Sequence, residues 1–304
     1  TLFPYTTLFR LCIGDVRARE GDLDEAERLY DQALKQLVRI GDPTGQAYAL
    51  KSLGDIYSRK NRIDEADAAY SSALAIHRST NDSLSEAHAL RALGDLALQK
   101  DSPQEAEPLF AAAVDLYREV DDPLGEANTL LSLGTLKYRT DRLEEARRDL
   151  DSALSTYVKV EAPLGKANTL QTLGDVLTRT REHSEAEDMY LSAIEMYREI
   201  GADLGTAHTL VSLGQLRQML GNDNAAADAY AEALPIFQEL DDVVGEANTI
   251  QAQGQVLLSQ GNLEEAFEHT LSAMALHVMA DNALGIGACH GYLMRIALDA
   301  NALA

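Results

Sequence analysis

An all-α chain built from tandem pairs of antiparallel helices is predicted by three observations. Glycine recurs at a fixed 40-residue step, at Gly14, Gly54, Gly94, Gly134, Gly174, Gly214 and Gly254. Two alanine ladders keep that step in the same register: Ala26, Ala66, Ala106, Ala146, Ala186, Ala226 and Ala266, and Ala33, Ala73, Ala113, Ala153, Ala193, Ala233 and Ala273. Nothing in the 304 residues alternates with the period of a strand. Three ladders in one register mark a repeat array, in which each unit must bury its apolar face against its neighbours.

Residues 1–10 fall outside the pattern. They resemble the translation of a sequencing adaptor and are suspect as non-native sequence. They do not read as a signal peptide, having no basic leader, long apolar core or small-residue cleavage site. Residues 11–281 hold seven repeats. In the second, Leu50, Leu53, Gly54 and Tyr57 stand at i, i+3, i+4 and i+7, one face of a helix. After Lys60-Asn61-Arg62, a second helical stripe runs through Ile63, Ala66, Tyr70, Ala73, Leu74 and His77. Turns such as Asp42-Pro43, Asp122-Pro123 and Ala162-Pro163 place Pro at a helix start, where its missing N–H costs nothing. Pro108 and Pro235 fall inside second helices and predict local bends. Each ladder glycine costs its helix about 1 kcal/mol against alanine. The compensation expected is close helix approach, with the alanines as the facing small surface and Tyr30, Tyr70, Phe110, Tyr190 and Tyr230 filling space beside the contact. Residues 282–304 read as one further helix starting near Ala283, a partial eighth repeat or a cap.

Composition narrows the functions. Acids number 49 and bases 26, a net charge of -23, which disfavours nucleic acid and anionic membrane as partners. No apolar run reaches the roughly 20 residues of a membrane span. Cys12 and Cys289 are too few for a disulfide framework or a cysteine-rich zinc site. The seven histidines form no metal-ligand motif, and His77 and His277 share a second-helix position with Tyr117, Tyr157, Tyr197 and Phe237, which assigns them to packing. No phosphate-binding loop or catalytic constellation is present, so no catalytic residue, metal or cofactor is expected.

The pattern Leu50, Leu53-Gly54, Ala66, Tyr70 and Ala73, repeated from Leu11 to Ala280, resembles the tetratricopeptide repeat family. The unit is 40 residues rather than the family's usual length of about 34. It is similar to the long-helix variety of spindle-orientation scaffolds, kinesin light chains and microbial signalling proteins. The resemblance implies an α-solenoid of right-handed superhelical twist, with first helices lining a concave groove. Two features depart from the family. Its first-helix aromatic appears only as Tyr57, whereas the preceding position is aliphatic in every unit, as at Val16, Ile56 and Leu96. The Asn and Lys positions of the clamp that holds chaperone tails carry Asp55, Ala92 and Ser132, which does not support that activity.

By the same resemblance, the groove residues are Asn128, Asn168, Asn248, His88, His208, Lys51, Arg59, Arg91, Arg139 and Arg179. A primary amide donates and accepts, so the asparagines suit an extended peptide backbone; they equally suit local bonds at their own helix starts. The arginines suit carboxylates or phosphates of a ligand. Asp15–Arg19, Asp55–Arg59 and Asp175–Arg179 are also i, i+4 pairs that support a helix, which is the favoured reading of any single arginine. The later repeats offer an uncharged lining of Val211, Gln215, Gln218, Met219, Gln251, Gln255 and Leu258. The expected function is a non-enzymatic scaffold for a protein or extended peptide, in the cytoplasm, with export left open by the unfixed N-terminus. The alternative is a structural subunit that assembles head to tail through the apolar residues Leu293, Met294 and Leu298 of the last helix.

Overall fold

The computed structural model describes residues 3–303, and among them every element is a helix. In chain order these are α1 (Phe3–Glu20), α2 (Leu23–Ile40), α3 (Pro43–Arg59), α4 (Ile63–Thr80), α5 (Ser83–Gln99), α6 (Pro103–Glu119), α7 (Pro123–Arg139) and α8 (Leu143–Lys159). There follow α9 (Pro163–Thr180), α10 (His183–Glu199), α11 (Asp203–Met219), α12 (Asp223–Glu239), α13 (Val243–Ser259), α14 (Leu263–Met279) and α15 (Ala283–Leu303). The out-of-pattern residues from Phe3 to Arg10 form the first turns of α1; Thr1 and Leu2 lie outside the described residues. Helices α6 and α12 continue through Pro108 and Pro235. The chain divides into two compact units, Thr1–Thr156 and Tyr157–Ala304. Within each, consecutive helices pack against one another.

Turns fall every 20 residues, and at each a single residue takes the left-handed conformation that ends a helix. Glycine does so at 21, 41, 201, 221 and 261, asparagine at 61 and 81, and aspartate at 101, 121, 141, 241 and 281. These types carry the least steric penalty there. Glu161 and Arg181 hold the same conformation, with φ of 52° and 67°. The next helix is then capped. Asp42, Asp82, Asp122 and Asp242 each accept a hydrogen bond from the backbone N–H three residues on, at 2.9–3.1 Å. Such a cap satisfies one of the unpaired donors of a helix start.

The glycine ladder is a seat for large side chains. A Cβ on Gly54 would lie 2.5 Å from the ring of Tyr70, on Gly94 2.6 Å from Phe110, on Gly174 2.5 Å from Tyr190 and on Gly214 2.5 Å from Tyr230. At Gly134 the occupant is Leu150, at 2.6 Å. The rings thus lie on the glycines themselves, not beside an alanine contact; the alanines of both ladders are wholly buried. A second glycine ladder, which the sequence reading did not single out, works between pairs. Gly125, Gly165, Gly205, Gly245 and Gly285 receive Tyr117, Tyr157, Tyr197, Phe237 and His277 of the preceding helix, each within 2.6 Å of where a Cβ would stand. One turn on, Thr129, Thr169, Thr209 and Thr249 are buried and donate their hydroxyls to the carbonyls of Gly125, Gly165, Gly205 and Gly245 at 2.7–2.8 Å. Helices α3, α7, α9, α11 and α13 therefore carry a glycine on each of two sides.

Gly174→Ala should destabilise the second unit by about 1–3 kcal/mol, the usual range for overpacking. Gly254→Ala should cost much less, because its nearest neighbour is the Cβ of His269 at 3.3 Å and alanine returns about 1 kcal/mol of helix propensity. Urea denaturation of the two variants compares them; equal losses would show that ring seating does not govern the ladder.

His277 adds a pH dependence. It is wholly buried, its Nε2 has no hydrogen-bond partner, and Asn282 Nδ2 lies 3.3 Å from its Nδ1. Burial alone lowers its pKa. At the same register His77 faces the carboxylate of Asp82 at 3.7 Å, which opposes the lowering that burial causes. A histidine held neutral in the fold but free to protonate when unfolded contributes stability above about pH 6.5 that is lost as pH falls. His277→Phe, the side-chain type at Phe237, should flatten the loss of stability between pH 7 and 5 in urea melts. His77→Phe should flatten it less.

Candidate binding clefts on the first helices

The odd-numbered helices from α3 onward carry their half-exposed side chains at matching register positions, and these line clefts in each unit. In the first unit a cleft of about 690 Å³ is walled by α3 and α5 and brings together Tyr48, Lys51, Asp55, Arg59, His88, Arg91 and Asp95. Phenols from the second helices reach its floor. Tyr70 donates to Asp55 at 2.8 Å, while Lys51 Nζ lies 2.7 Å from the same carboxylate. Next to it, Tyr30 and Tyr48 donate to Asp15 at 2.7 and 2.8 Å. Burial, with Asp15 adding to it, pushes the Tyr48 hydroxyl up to about 12. Tyr117 shares a 2.7 Å hydrogen bond with His88 Nδ1, their rings edge to face. Burial lowers the His88 pKa, and the positive charges of Arg91 and Lys51 lower it further.

The pairing expected between Asp55 and Arg59 does not form: Arg59 donates to the carbonyl of Ala18 at 2.7 Å, and Asp55 is held by Lys51 and Tyr70. Asp15 likewise turns to Tyr30 and Tyr48. Phenols delivered from the facing helix occupy the carboxylates that helical spacing assigned to arginines. Arg139 stands apart from the cleft, exposed, 3.4 Å from Asp101. Asn128 is half-buried on α7 and is engaged within the chain.

The second unit has a different chemistry. One cleft of about 580 Å³ is lined by Asn168, Gln171, Tyr197 and His208 under the exposed side chains of Leu164, Leu204 and Leu240. The Tyr197 hydroxyl donates to Asn168 Oδ1 at 2.6 Å, with Gln171 Oε1 at 3.0 Å. Asn168 therefore neither caps its own helix nor has its whole amide free; its oxygen is held by the partner helix. A neighbouring cleft of about 350 Å³ gathers Gln215, Asn248, Gln251 and Gln255 around Val211 and Ala252. No Asp, Glu, Lys or Arg lines it. Gln251 Oε1 accepts from the Cys289 thiol at 3.3 Å, while Gln215, Asn248 and Gln255 take no side-chain hydrogen bond among the described residues. His208 packs edge to face on Phe237, 5.1 Å between centroids. Asp175, on α9, accepts from Tyr190 at 2.7 Å, and burial pushes its carboxyl up to about 6. Arg179 is exposed near the end of α9 and engaged within the chain. On α15, Met294 and Leu298 are exposed and Leu293 is half-buried.

The phenols of Tyr70, Tyr117 and Tyr197 are the site residues that sequence reasoning missed. Their ladder was visible and was assigned wholly to packing; the hydroxyl at its tip was the overlooked signal. Among the described residues no cluster of His, Cys, Asp or Glu could hold a metal ion, and no helix is long and apolar enough to cross a membrane.

Two family models, both described as tetratricopeptide repeat, match the chain, one over residues 6–79, 125–199, 165–239 and 205–277 and the other over 52–120. The chain belongs to the tetratricopeptide repeat family. Solved structures agree on the fold. The apo form of RapI is 16% identical over 91% of this chain and 99% of its own, with a TM-score of 0.70. A signal transduction ATPase with a tetratricopeptide repeat sensor, from Pyrococcus horikoshii, is 14% identical over 96% of this chain and 49% of its own, with a TM-score of 0.70. BtubC from P. vanneervenii is 23% identical over 62% and 78%, with a TM-score of 0.57. No curated protein matches. At these identities the likeness is one of fold.

Proposed function

We propose that this tetratricopeptide repeat chain is a non-enzymatic scaffold that binds a protein or extended peptide along its first helices. The observation that carries the reading is the set of unbonded primary amides in the neutral cleft of the second unit. Gln215, Asn248 and Gln255 present donors and acceptors to solvent and spend none of them on the fold. An extended peptide backbone offers the complementary groups whatever its side chains. A solved Rap protein of the same fold is described as complexed with competence and sporulation factor, which accords with ligand binding by such a fold. The sign of the net charge, -23, argues against nucleic acid and anionic membrane as the partner.

The test is Gln215→Ala, Asn248→Ala and Gln255→Ala combined, assayed on an array of unmodified peptides and by capture of partner protein. Each lost hydrogen bond is worth roughly 0.5–1.5 kcal/mol, so binding should weaken by about tenfold or more. The thermal midpoint should not move, since these amides make no bond within the fold. Binding retained by the triple variant would exclude the neutral cleft as the site.

A second reading, head-to-tail self-association, is carried by α15, where Leu284, Met294 and Leu298 are 89%, 65% and 69% exposed. Burying them between copies would be favourable at about 25 cal/mol per Å², against the mutual repulsion of chains of charge -23. Light scattering should then show assembly that grows with salt and disappears in Leu293→Lys with Leu298→Lys. A protein that stays monomeric at high concentration and high salt leaves the scaffold reading alone.

A further inference from the structure

One carboxylate on the first helices breaks a rule that the others obey. At the register position of Asp15 three carboxylates each meet a phenol from the facing second helix: Asp15 meets Tyr30, Asp55 meets Tyr70 and Asp175 meets Tyr190, at 2.7–2.8 Å; the remaining phenol, Tyr230, faces the neutral Gln215. Where the facing residue has no phenol the position is neutral, as with Thr135 opposite Leu150 and Gln255 opposite Thr270. Asp95 faces Phe110, whose ring sits on Gly94 and has no hydroxyl. Among the described residues its ion-pair partner is Arg91, a turn earlier on α5, and the two stop 3.7 Å apart, outside hydrogen-bonding distance. One repeat earlier the equivalent pair, Lys51 and Asp55, is closed at 2.7 Å. Burial drives the Asp95 carboxyl upward, with Arg91 only partly opposing it.

This open pair lies in the 690 Å³ cleft, within the roughly 300–1,000 Å³ of ordinary small-molecule sites. The two halves of the pair face different surroundings. Arg91 shares its side of the cleft with Lys51, His88 and Asp82; the charges of Arg91 and Lys51 lower His88, and Asp122 and Asp82 oppose them. Asp95 has unfilled acceptor capacity and no donor at bonding distance. The carboxylate is half-exposed, and a ligand cation that completes its hydrogen bonding makes a charge-assisted bond in the cleft.

We propose that the first unit's cleft binds a small zwitterion of the α-amino-acid type, its ammonium on Asp95 and its carboxylate on Arg91 beside Lys51. The pair is neutral as a whole and so is its ligand, which leaves no net charge in the cleft. A lone anion would meet Asp95, and a lone cation would meet Arg91. The site rests on the reading of the first helices as a binding surface and assigns its own ligand to one part of that surface.

Calorimetry with the free amino acids, and with their N-acetyl and carboxamide forms, tests the proposal, alongside the His88 ring proton by NMR. At least one free amino acid should bind at millimolar concentration or below and move the His88 titration upward, as its carboxylate offsets Arg91. Both blocked forms should bind at least about tenfold more weakly. Phe110→Tyr supplies the missing phenol, as Tyr70 does for Asp55. It should therefore weaken binding by about tenfold or more, with a thermal midpoint unchanged or raised. Phe110→Leu, the residue type at Leu150, should keep the ligand. Absence of binding by every free amino acid, equal binding of a blocked form, or an unaffected Phe110→Tyr would each overturn the proposal. The amide-cleft variants, measured against peptide and protein partners, report separately on the scaffold reading, because none of them touches α5.

Discussion

The fold depends on a bulky side chain seated on a glycine of the facing helix. Glycine inside a helix is unfavourable by about 1 kcal/mol, and the chain carries it twice on most first helices, once toward the partner in the pair and once toward the preceding pair. Removing the Cβ lets a ring lie against the backbone, so helices approach closely and the ring is buried almost completely, as Phe110, Tyr117 and Tyr230 are. That burial outweighs the loss of propensity, since a fully buried large apolar side chain is worth about 1.5–3 kcal/mol. Other features follow from the close approach. The alanines of both ladders are small because the backbones leave no room for more. The threonine hydroxyls bond to glycine carbonyls because they are buried with no other acceptor at hand.

The seating also builds the clefts. A tyrosine on a glycine reaches across the first helix, and its hydroxyl emerges near the side chains on the far face. The ring packs the core and the oxygen at its tip organises the surface, an ordinary consequence of an amphipathic aromatic. Tyr30 and Tyr70 hold Asp15 and Asp55 this way, while Tyr117 and Tyr197, seated on glycines of the following pair, hold His88 and Asn168 of their own partner helix. Packing and recognition are thus coupled through single residues. A change of ring type in the core alters which polar groups on the surface remain unsatisfied.

How much of this was legible follows from how far apart the interacting residues lie in sequence. Periodicity is local information, and the 40-residue ladders gave the helix pairs, the turns and the start of α15 near Ala283. The inter-pair ladder from Gly125 to Gly285 was equally periodic; it was overlooked because glycines near a helix start read as turn residues. The turns were legible, Glu161-Ala162-Pro163 among them, but the left-handed residue that ends each helix was not read from the sequence, and at Glu161 and Arg181 the residue type gives no sign of it. Site geometry was less accessible. Asp55 and Arg59 have ideal spacing for a helical pair, but Tyr70, fifteen residues away, reaches the carboxylate through the helix crossing, and Lys51 takes the remaining oxygen. Spacing along one helix cannot rank a partner delivered by another.

The two units handle charge differently, and the ring ladder accounts for part of it. In the first unit Tyr30 and Tyr70 donate to Asp15 and Asp55, and each carboxylate keeps a second oxygen for a further donor. Lys51 takes that oxygen of Asp55, and the cleft holds charge of both signs. In the second unit the series of facing residues runs Tyr190, Tyr230, Thr270, and the register position changes from Asp175 to Gln215 and Gln255. Without a donated phenol, a half-buried carboxylate would pay its desolvation unaided, which an amide avoids. Tyr230, meeting no carboxylate, turns its hydroxyl to Gln218 at 3.3 Å. The missing phenol thus accounts for Gln255, opposite Thr270, whereas at Gln215 the phenol of Tyr230 is present and the carboxylate is not; at both positions the amide is left over for a ligand.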